Sequence, residues 1–181
     1  MNRIPKFLNG YTMPRHMQIA FSLIGTTEVF GKQHNPTILK WAKGLSLEKV
    51  YTNDELAWCG LFFAHVMKES GRRVDLNTKD PYDYLRAAKY VNMNGAEIID
   101  RKDAAFGDVL IFQRPGGGHI GFYVSESENF YSVLGGNQSN SVNLTNIHKN
   151  RLTHCLRPNY ISHRPQKFTA AVVGDISSNE A

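Results

Sequence analysis

Apolar residues recur at helical spacing through the first half of the chain, which predicts a run of helices there. Four segments carry the pattern: residues 14–24, 35–44, 57–69 and 80–92. Asn35-Pro36 is a capping residue followed by a proline at the first helical position, which is typical of a helix start. The segment 57–69 is hydrophobic nearly all round, so we expect a buried central helix that is closed by Gly71.

The second half of the chain changes to short runs of β-branched and aromatic residues separated by Gly, Asn and Ser. The predicted strands are residues 109–112, 119–124, 130–134, 141–144 and 152–156, with one further strand at 168–173 as a weaker candidate. Helices followed by strands favour an α+β domain, with N-terminal helices packed on an antiparallel sheet. We expect one domain over residues 1–160 and a partly disordered C-terminal extension over 161–181.

The composition is that of an ordinary globular protein, with 41% hydrophobic and 20% charged residues among 181. The net charge of +5 is consistent with an acidic polymer as partner or simply with solubility. The basic residues are scattered and lack the aromatic pattern of RNA-recognition modules, so no nucleic-acid partner is expected. No apolar stretch has the length of a membrane span or the form of a secretory signal, so we expect synthesis in the cytoplasm.

The two cysteines, Cys59 and Cys155, occur in different contexts and are predicted to be free thiols. A buried cysteine is most often a small core residue, and Cys155 in its predicted strand fits that role. Cys59 instead falls at the start of the central helix, where unpaired N–H groups and the helix dipole stabilise a thiolate. The acidic loop before it, Asn53–Glu55, is the expected cap of this helix.

His119 is the candidate base for a Cys59 nucleophile, because it opens an apolar strand directly after the glycine turn Gly116–Gly118. Asn137, in the sequence Gly-Gly-Asn-Gln, is a candidate for orienting the imidazole, although the same residues are typical of a simple turn. No set of His, Cys, Asp or Glu has the spacing of a zinc or EF-hand site, so no metal and no other cofactor is expected.

Five segments together resemble the CHAP group of cysteine, histidine-dependent amidohydrolases and peptidases, which are cell-wall hydrolases of the papain-like superfamily. The segments are Gly25–Pro36, Asp54–Phe63 with its Trp-Cys pair, Gly107–Arg114, Gly118–Val124 and Gly135–Gln138. They run in the family's order over roughly residues 20–160, and their combination is more specific than any one of them. The subset resembled is the one often carried by bacteriophages and by bacterial cell-wall enzymes.

The resemblance implies a papain-like fold with Cys59 as nucleophile, His119 as general base and Asn137 as the orienting residue. Many such enzymes have an acid at the third position, whereas the amide of Asn137 orients the ring without compensating its charge. Five further residues are candidates for substrate contact: Trp58, Asp54, Gly118, Gln138 and Glu28. Core packing is the alternative for Trp58, helix capping for Asp54, and pairing with a local base such as Lys32 for Glu28.

The implied reaction is cleavage of an amide bond of bacterial peptidoglycan, in the stem peptide or between muramoyl and alanine, through a thioester. The expected biology is a bacteriophage endolysin without a signal peptide that reaches the wall after the membrane is breached, or else a virion-associated lysin. A catalytically silent peptidoglycan-binding module and an antibacterial amidase toxin are the alternatives. We expect a monomer.

Overall fold

A computed structural model describes residues 4–159, 166–169 and 175–176 of the chain. Its α-helices in these residues are α1 (Arg15–Ser22), α2 (Pro36–Gly44) and α3 (Cys59–Glu69). Its strands are β1 (Ala96–Ile99), β2 (Val109–Arg114), β3 (Gly117–Glu126), β4 (Phe130–Gln138), β5 (Ser141–His148), β6 (Leu152–Pro158) and β7 (Asp175–Ile176). The prediction of an α+β chain is confirmed. Within the described residues, no helix has the length and apolar character needed to span a membrane.

The strands form one sheet in the order β1-β6-β2-β3-β4-β5-β7, antiparallel except for the parallel pair of β5 and β7. Side chains alternate between the two faces, as strand geometry requires. Val109 and Ile111 of β2 belong to the main core beneath the helices, whereas Leu110 and Phe112 pack in a smaller cluster on the opposite face. Because β3 lies in the middle of this order, His119 projects from the centre of the sheet.

The helices contribute their apolar positions to the main core. α2 begins as predicted, since the Asn35 side chain accepts a hydrogen bond from Thr37 N at 2.8 Å with Pro36 in the first turn. α3 is the buried helix that the sequence predicts, and Gly71 just beyond it has a φ of +84°. Because α3 packs on β3 and β4, the first turn at Cys59 is held against the sheet.

The segment predicted as a fourth helix folds instead as two 3-10 helices, Pro81–Leu85 and Ala87–Asn92. Asp80 caps the first of them, as its position before Pro81 indicates. Arg86 between them has extended backbone, and its guanidinium contacts the buried carboxylate of Asp83 at 2.7 Å. These side-chain contacts compete with a continuous α-helix, so the helix prediction is wrong here.

The structure also contains two strands that the hydrophobic pattern does not predict. β1 pairs with β6, and β7 adds two residues beside β5. β1 is only four residues long, and Ile98 within it is exposed over 62% of its surface. Such short edge segments do not show the alternation of polar and apolar positions on which strand prediction depends.

The described part of the 161–181 segment is attached to the domain. Of the predicted strand at 168–173, Thr169 forms a single bridge with Glu126, and residues 170–173 lie outside the described residues. The ring of Phe168 packs on the main core, with centroids 5.2–5.7 Å from three aromatic rings: Phe7, Tyr11 and Phe106. This contact makes Phe168 part of the main core's packing.

His16 of α1 is fully buried and neutral in the folded protein. Its Nε2 lies 3.0 Å from the carbonyl oxygen of Gly107, and its Nδ1 lies 3.4 Å from Nη1 of Arg72. The neutral imidazole suits both contacts, since Nε2–H donates to Gly107 and Nδ1 accepts from Arg72. Burial, reinforced by the charge of Arg72 and opposed by the Gly107 hydrogen bond, lowers the pKa of His16 from 6.5 to about 4.

We therefore expect His16 alone to lower the free energy of unfolding by about 3 kcal/mol as the pH falls from 7 to 4. Between pH 6.5 and pH 4 the unfolded chain binds a proton at His16 that the folded chain does not. This stability is full above pH 6.5 and is lost progressively toward pH 4. Urea unfolding of the wild type and of His16→Gln at several pH values measures it, because Gln keeps a donor for Gly107 without titrating. Equal acid losses in the two proteins would contradict the assignment.

Candidate active site

The start of α3 carries the candidate nucleophile. Cys59 is the first residue of the helix, and Trp58 occupies the N-cap position. No side chain caps this end, so the expected cap in the loop Asn53–Glu55 is wrong. The first N–H groups of an α-helix have no partner within the helix, and here they are left to stabilise negative charge near Cys59.

Cys59 is almost completely buried, with 2% of its surface exposed. Burial is the largest influence on the thiol and raises the pKa of Cys59. Hydrogen bonds to the sulfur from the backbone N–H groups of Ile120 and Gly60 act in the opposite direction, as does the positive charge of Arg114. The sulfur thus lies against β3 at the residue that follows His119. Cys155 is also a free buried thiol and packs in the smaller core cluster, as predicted.

β3 and β4 separate where α3 meets the sheet. Their pairing begins at Phe122 and Leu134 and continues toward the other end of β3. Residues 117–121 of β3 pair with β2 but have no partner in β4 in this register. The separation leaves the backbone of Ile120 accessible to the Cys59 sulfur.

A bulge in β4 produces this separation. The register of β4 with β5 shifts between Gly135 and Gln138, and Asn137 within the bulge has a left-handed φ of +58°. Gly136 faces α3 so closely that a Cβ there would lie 2.5 Å from Cβ of Phe62. The Gly-Gly-Asn segment is therefore neither a simple turn nor a regular strand, because it lets the first turn of α3 approach the sheet.

His119 is fully buried, and its ring is held by Gln138. Nε2 of His119 lies 3.0 Å from Oε1 of Gln138. The amide nitrogen of Gln138 donates to the backbone oxygen of Asn143 at 2.7 Å, which turns Oε1 toward the imidazole. Since Oε1 can only accept, the neutral imidazole carries its proton on Nε2 and keeps its lone pair on Nδ1. A base for the Cys59 thiol needs this tautomer.

Gln138 and not Asn137 makes the orienting contact, which corrects the role expected for Asn137. Asn137 is 2% exposed, and its Oδ1 has no hydrogen-bond partner among the described residues. The left-handed backbone of the bulge turns its side chain away from the position it would take in a regular strand. Gln138 is itself fully buried, and its contact with substrate stays a prediction.

Trp58 and Glu28 form a second polar contact beside the helix start. The indole Nε1–H of Trp58 donates to Oε1 of Glu28 at 2.7 Å, and burial raises the pKa of Glu28. Trp58 has no exposed surface, so it supports the site and does not line it, as its alternative interpretation held. Glu28 is partly exposed, and its partner is Trp58 instead of the expected Lys32.

Asp54 anchors the loop that precedes α2 and does not cap α3. Its carboxylate is fully buried and accepts from Val29 N at 2.9 Å, Asn35 N at 2.8 Å and His34 Nδ1 at 2.9 Å. These hydrogen bonds lower the pKa of Asp54 in spite of the opposing effect of burial. The loop that they hold is the one that carries Glu28 to Trp58.

The two 3-10 helices between residues 81 and 92 form a wall of the site that sequence reasoning missed. A Cβ on Gly60 would lie 2.6 Å from Oη of Tyr90, and a Cβ on Gly118 would lie 3.2 Å from Cβ of Ala87. Gly118 is partly exposed, so among the expected substrate contacts it retains access to a ligand. The two glycines are visible in the sequence and suggest that another segment packs closely there. The sequence does not show which segment that is.

No group of three or more His, Cys, Asp or Glu side chains in the described part of the chain is arranged to hold a metal ion. Comparisons with protein-family models, with curated proteins and with solved structures found no match to this chain.

We expect Gly135→Ala to disrupt the His119–Gln138 pair. A Cβ at Gly135 would lie 2.7 Å from Oε1 of Gln138 and 3.0 Å from Nε2 of His119, so one of the two groups must move. The expected cost is about 1–3 kcal/mol in the free energy of unfolding, with loss of the protected imidazole N–H signal in NMR spectra. Gly44→Ala is the matched control, because nothing lies within 4 Å of a Cβ there. An unchanged imidazole signal in Gly135→Ala would contradict the geometry.

Proposed function

We propose that the chain is a cysteine amidohydrolase with a papain-like catalytic arrangement, and that it acts on bacterial peptidoglycan. The observation that carries the proposal is the buried His119–Gln138 hydrogen bond, one residue from the backbone N–H that contacts the Cys59 sulfur. A thiol at a helix start, an imidazole with a fixed tautomer and an amide that fixes it are the parts that cysteine hydrolases use.

In the proposed reaction, Cys59 gives its proton to Nδ1 of His119, and the thiolate forms a C–S bond with the amide carbonyl carbon. The C–N bond then breaks, and His119 returns the proton to the leaving amine. A water molecule deprotonated by His119 attacks the thioester and releases a carboxylic acid and the free thiol. Backbone N–H groups at the start of α3 stabilise the oxyanion.

Two features support peptidoglycan as the substrate. The first is the resemblance of five ordered segments to CHAP wall hydrolases. The second is the net charge of +5, which favours association with an anionic wall polymer. We propose an endolysin that acts on amide bonds of the wall after release from the cytoplasm, while a virion-associated lysin and an antibacterial toxin would use the same chemistry.

A peptidoglycan-binding module without catalysis is the second candidate function, and one observation favours it. Cys59 is only 2% exposed, and burial raises its pKa, as is typical of an inert core thiol. The two functions differ in whether ligand binding exposes the sulfur to the scissile carbonyl.

We expect wild-type protein to release new termini from purified peptidoglycan and Cys59→Ala to release none, because the thioester requires the thiol. Mass spectrometry of the soluble fragments identifies the bond that is cut. Cys155→Ala is the control, since it removes the other buried thiol and leaves the site intact. Full lysis by Cys59→Ala would refute the cysteine hydrolase. If neither protein releases fragments while both sediment with the wall, the binding module is the correct function.

Substitutions can separate the roles of the two adjacent amide side chains, Asn137 and Gln138. We expect Gln138→Ala to lower kcat about 10- to 100-fold with little change in KM, because the imidazole loses its acceptor and its fixed tautomer. Gln138→Glu retains an acceptor for the imidazole but loses the donor to Asn143 and adds a negative charge, so it is expected to stay well below the wild-type rate. Steady-state kinetics of these variants beside Asn137→Ala provides the measurement. A larger loss in Asn137→Ala than in Gln138→Ala would return the orienting role to Asn137.

A further inference from the structure

Arg114, the last residue of β2, brings a positive charge to the candidate nucleophile. It lies opposite Gly117 in the β2–β3 register, and its Nε donates a long hydrogen bond of 3.4 Å to the carbonyl oxygen of Gly118. Gly118 directly precedes His119, so the guanidinium is tied to the strand that carries the base. Its charge also acts on Cys59, lowering the pKa of the thiol against the larger effect of burial.

This guanidinium forms no ion pair with any described residue, and its side chain is partly exposed. Three other arginines contact aspartates: Arg73 with Asp75, Arg86 with Asp83, and Arg157 with Asp108. A guanidinium has five donors in a fork that matches a carboxylate, and among the described residues the contact of Arg114 with Gly118 uses only one of them. The remaining donors are those suited to two parallel hydrogen bonds with an anionic ligand.

We propose that Arg114 is the substrate-recognition residue of this site and that it binds a carboxylate of the substrate next to the amide that Cys59 attacks. The inference rests on the proposed function and adds the substrate class to it: peptides with a free carboxylate beside the scissile amide. Peptidoglycan stem peptides with free carboxylates belong to this class, and stems in which that carboxylate is amidated do not.

Alkylation of Cys59 tests the anion site without any hydrolysis. Iodoacetate and iodoacetamide react alike, the thiolate displacing iodide to form a C–S bond, but only iodoacetate carries a carboxylate. We expect Arg114→Gln to lower the ratio of the iodoacetate rate to the iodoacetamide rate at Cys59 by about three- to tenfold. A change in thiol pKa affects both reagents equally and cancels in the ratio. Mass spectrometry of the Cys59 peptide separates its labelling from that of Cys155.

Two further variants control this measurement. Arg73→Gln removes the same charge from a side chain that is 89% exposed beyond the far end of α3, and it should leave the ratio unchanged. Arg114→Lys keeps the charge and should retain most of the preference. An equal ratio in wild type and Arg114→Gln overturns the inference. Failure of both reagents to label Cys59 in the wild type overturns it as well, because a thiol closed to them leaves no ligand site beside it.

Digestion of the wall gives the second test. Purified peptidoglycan is compared with the same material after carbodiimide-mediated amidation of its carboxylates. We expect amidation to slow wild-type digestion about tenfold or more, and Arg114→Gln to digest both materials at the same low rate. Equal wild-type rates on the two materials overturn the inference.

The two tests distinguish the inference from the proposed function. If Arg114→Gln lowers the labelling ratio but the wild type digests neither material, the carboxylate site is supported and the hydrolase is not. If digestion requires Cys59 but neither the labelling ratio nor amidation matters, the hydrolase is supported and the role of Arg114 is wrong.

Discussion

The bulge that ends the pairing of β3 with β4 controls the chemistry available at this end of the sheet. Where two strands pair fully, the N–H groups of each strand donate to the carbonyl oxygens of the other. Because β4 turns aside between Gly135 and Gln138, the N–H of Ile120 can donate to the Cys59 sulfur. The same bulge places the Gln138 amide against His119. Thiol, imidazole and amide are thus arranged by one irregularity in the ladder.

The arrangement of Cys59, His119 and Gln138 depends on close packing at two glycines. Gly136 lets the first turn of α3 approach the sheet, and Gly135 leaves room for the imidazole and the Gln138 amide. On the outer side of the helix start, the carboxylate of Asp54 holds the loop that carries Glu28 to Trp58. Buried polar groups with all these partners are rigid, and removing one partner leaves the other desolvated and unpaired. The start of α3 is thus held both by the sheet and by the Glu28 loop. A preorganised nucleophile needs a rigid support of this kind.

The parts of this fold that follow from local pattern could be read from the sequence. α2 is predictable because Asn35 and Pro36 act on their own backbone, and the central strands are predictable because their faces alternate. The position of Cys59 at a helix start follows from the apolar run after it. The orienting residue could not be predicted, because a single left-handed residue shifts which of two adjacent amides points to the imidazole. The role of Asp54 in holding the loop before α2 could not be predicted either, because its hydrogen-bond partners lie 19–25 residues earlier in the chain.

The burial that raises the Cys59 pKa bears on how such a site would ionise. An isolated thiolate in this position is unfavourable, because desolvation outweighs the N–H groups and the Arg114 charge. In the proposed reaction, transfer of the Cys59 proton to His119 would create an imidazolium together with the thiolate, so the two charges would compensate each other. Gln138 then accepts from an N–H that carries part of a positive charge, which strengthens that bond without adding a second full charge. In the proposed reaction, a neutral amide at this position would therefore leave the imidazolium able to give its proton back, whereas a carboxylate would hold that proton more strongly.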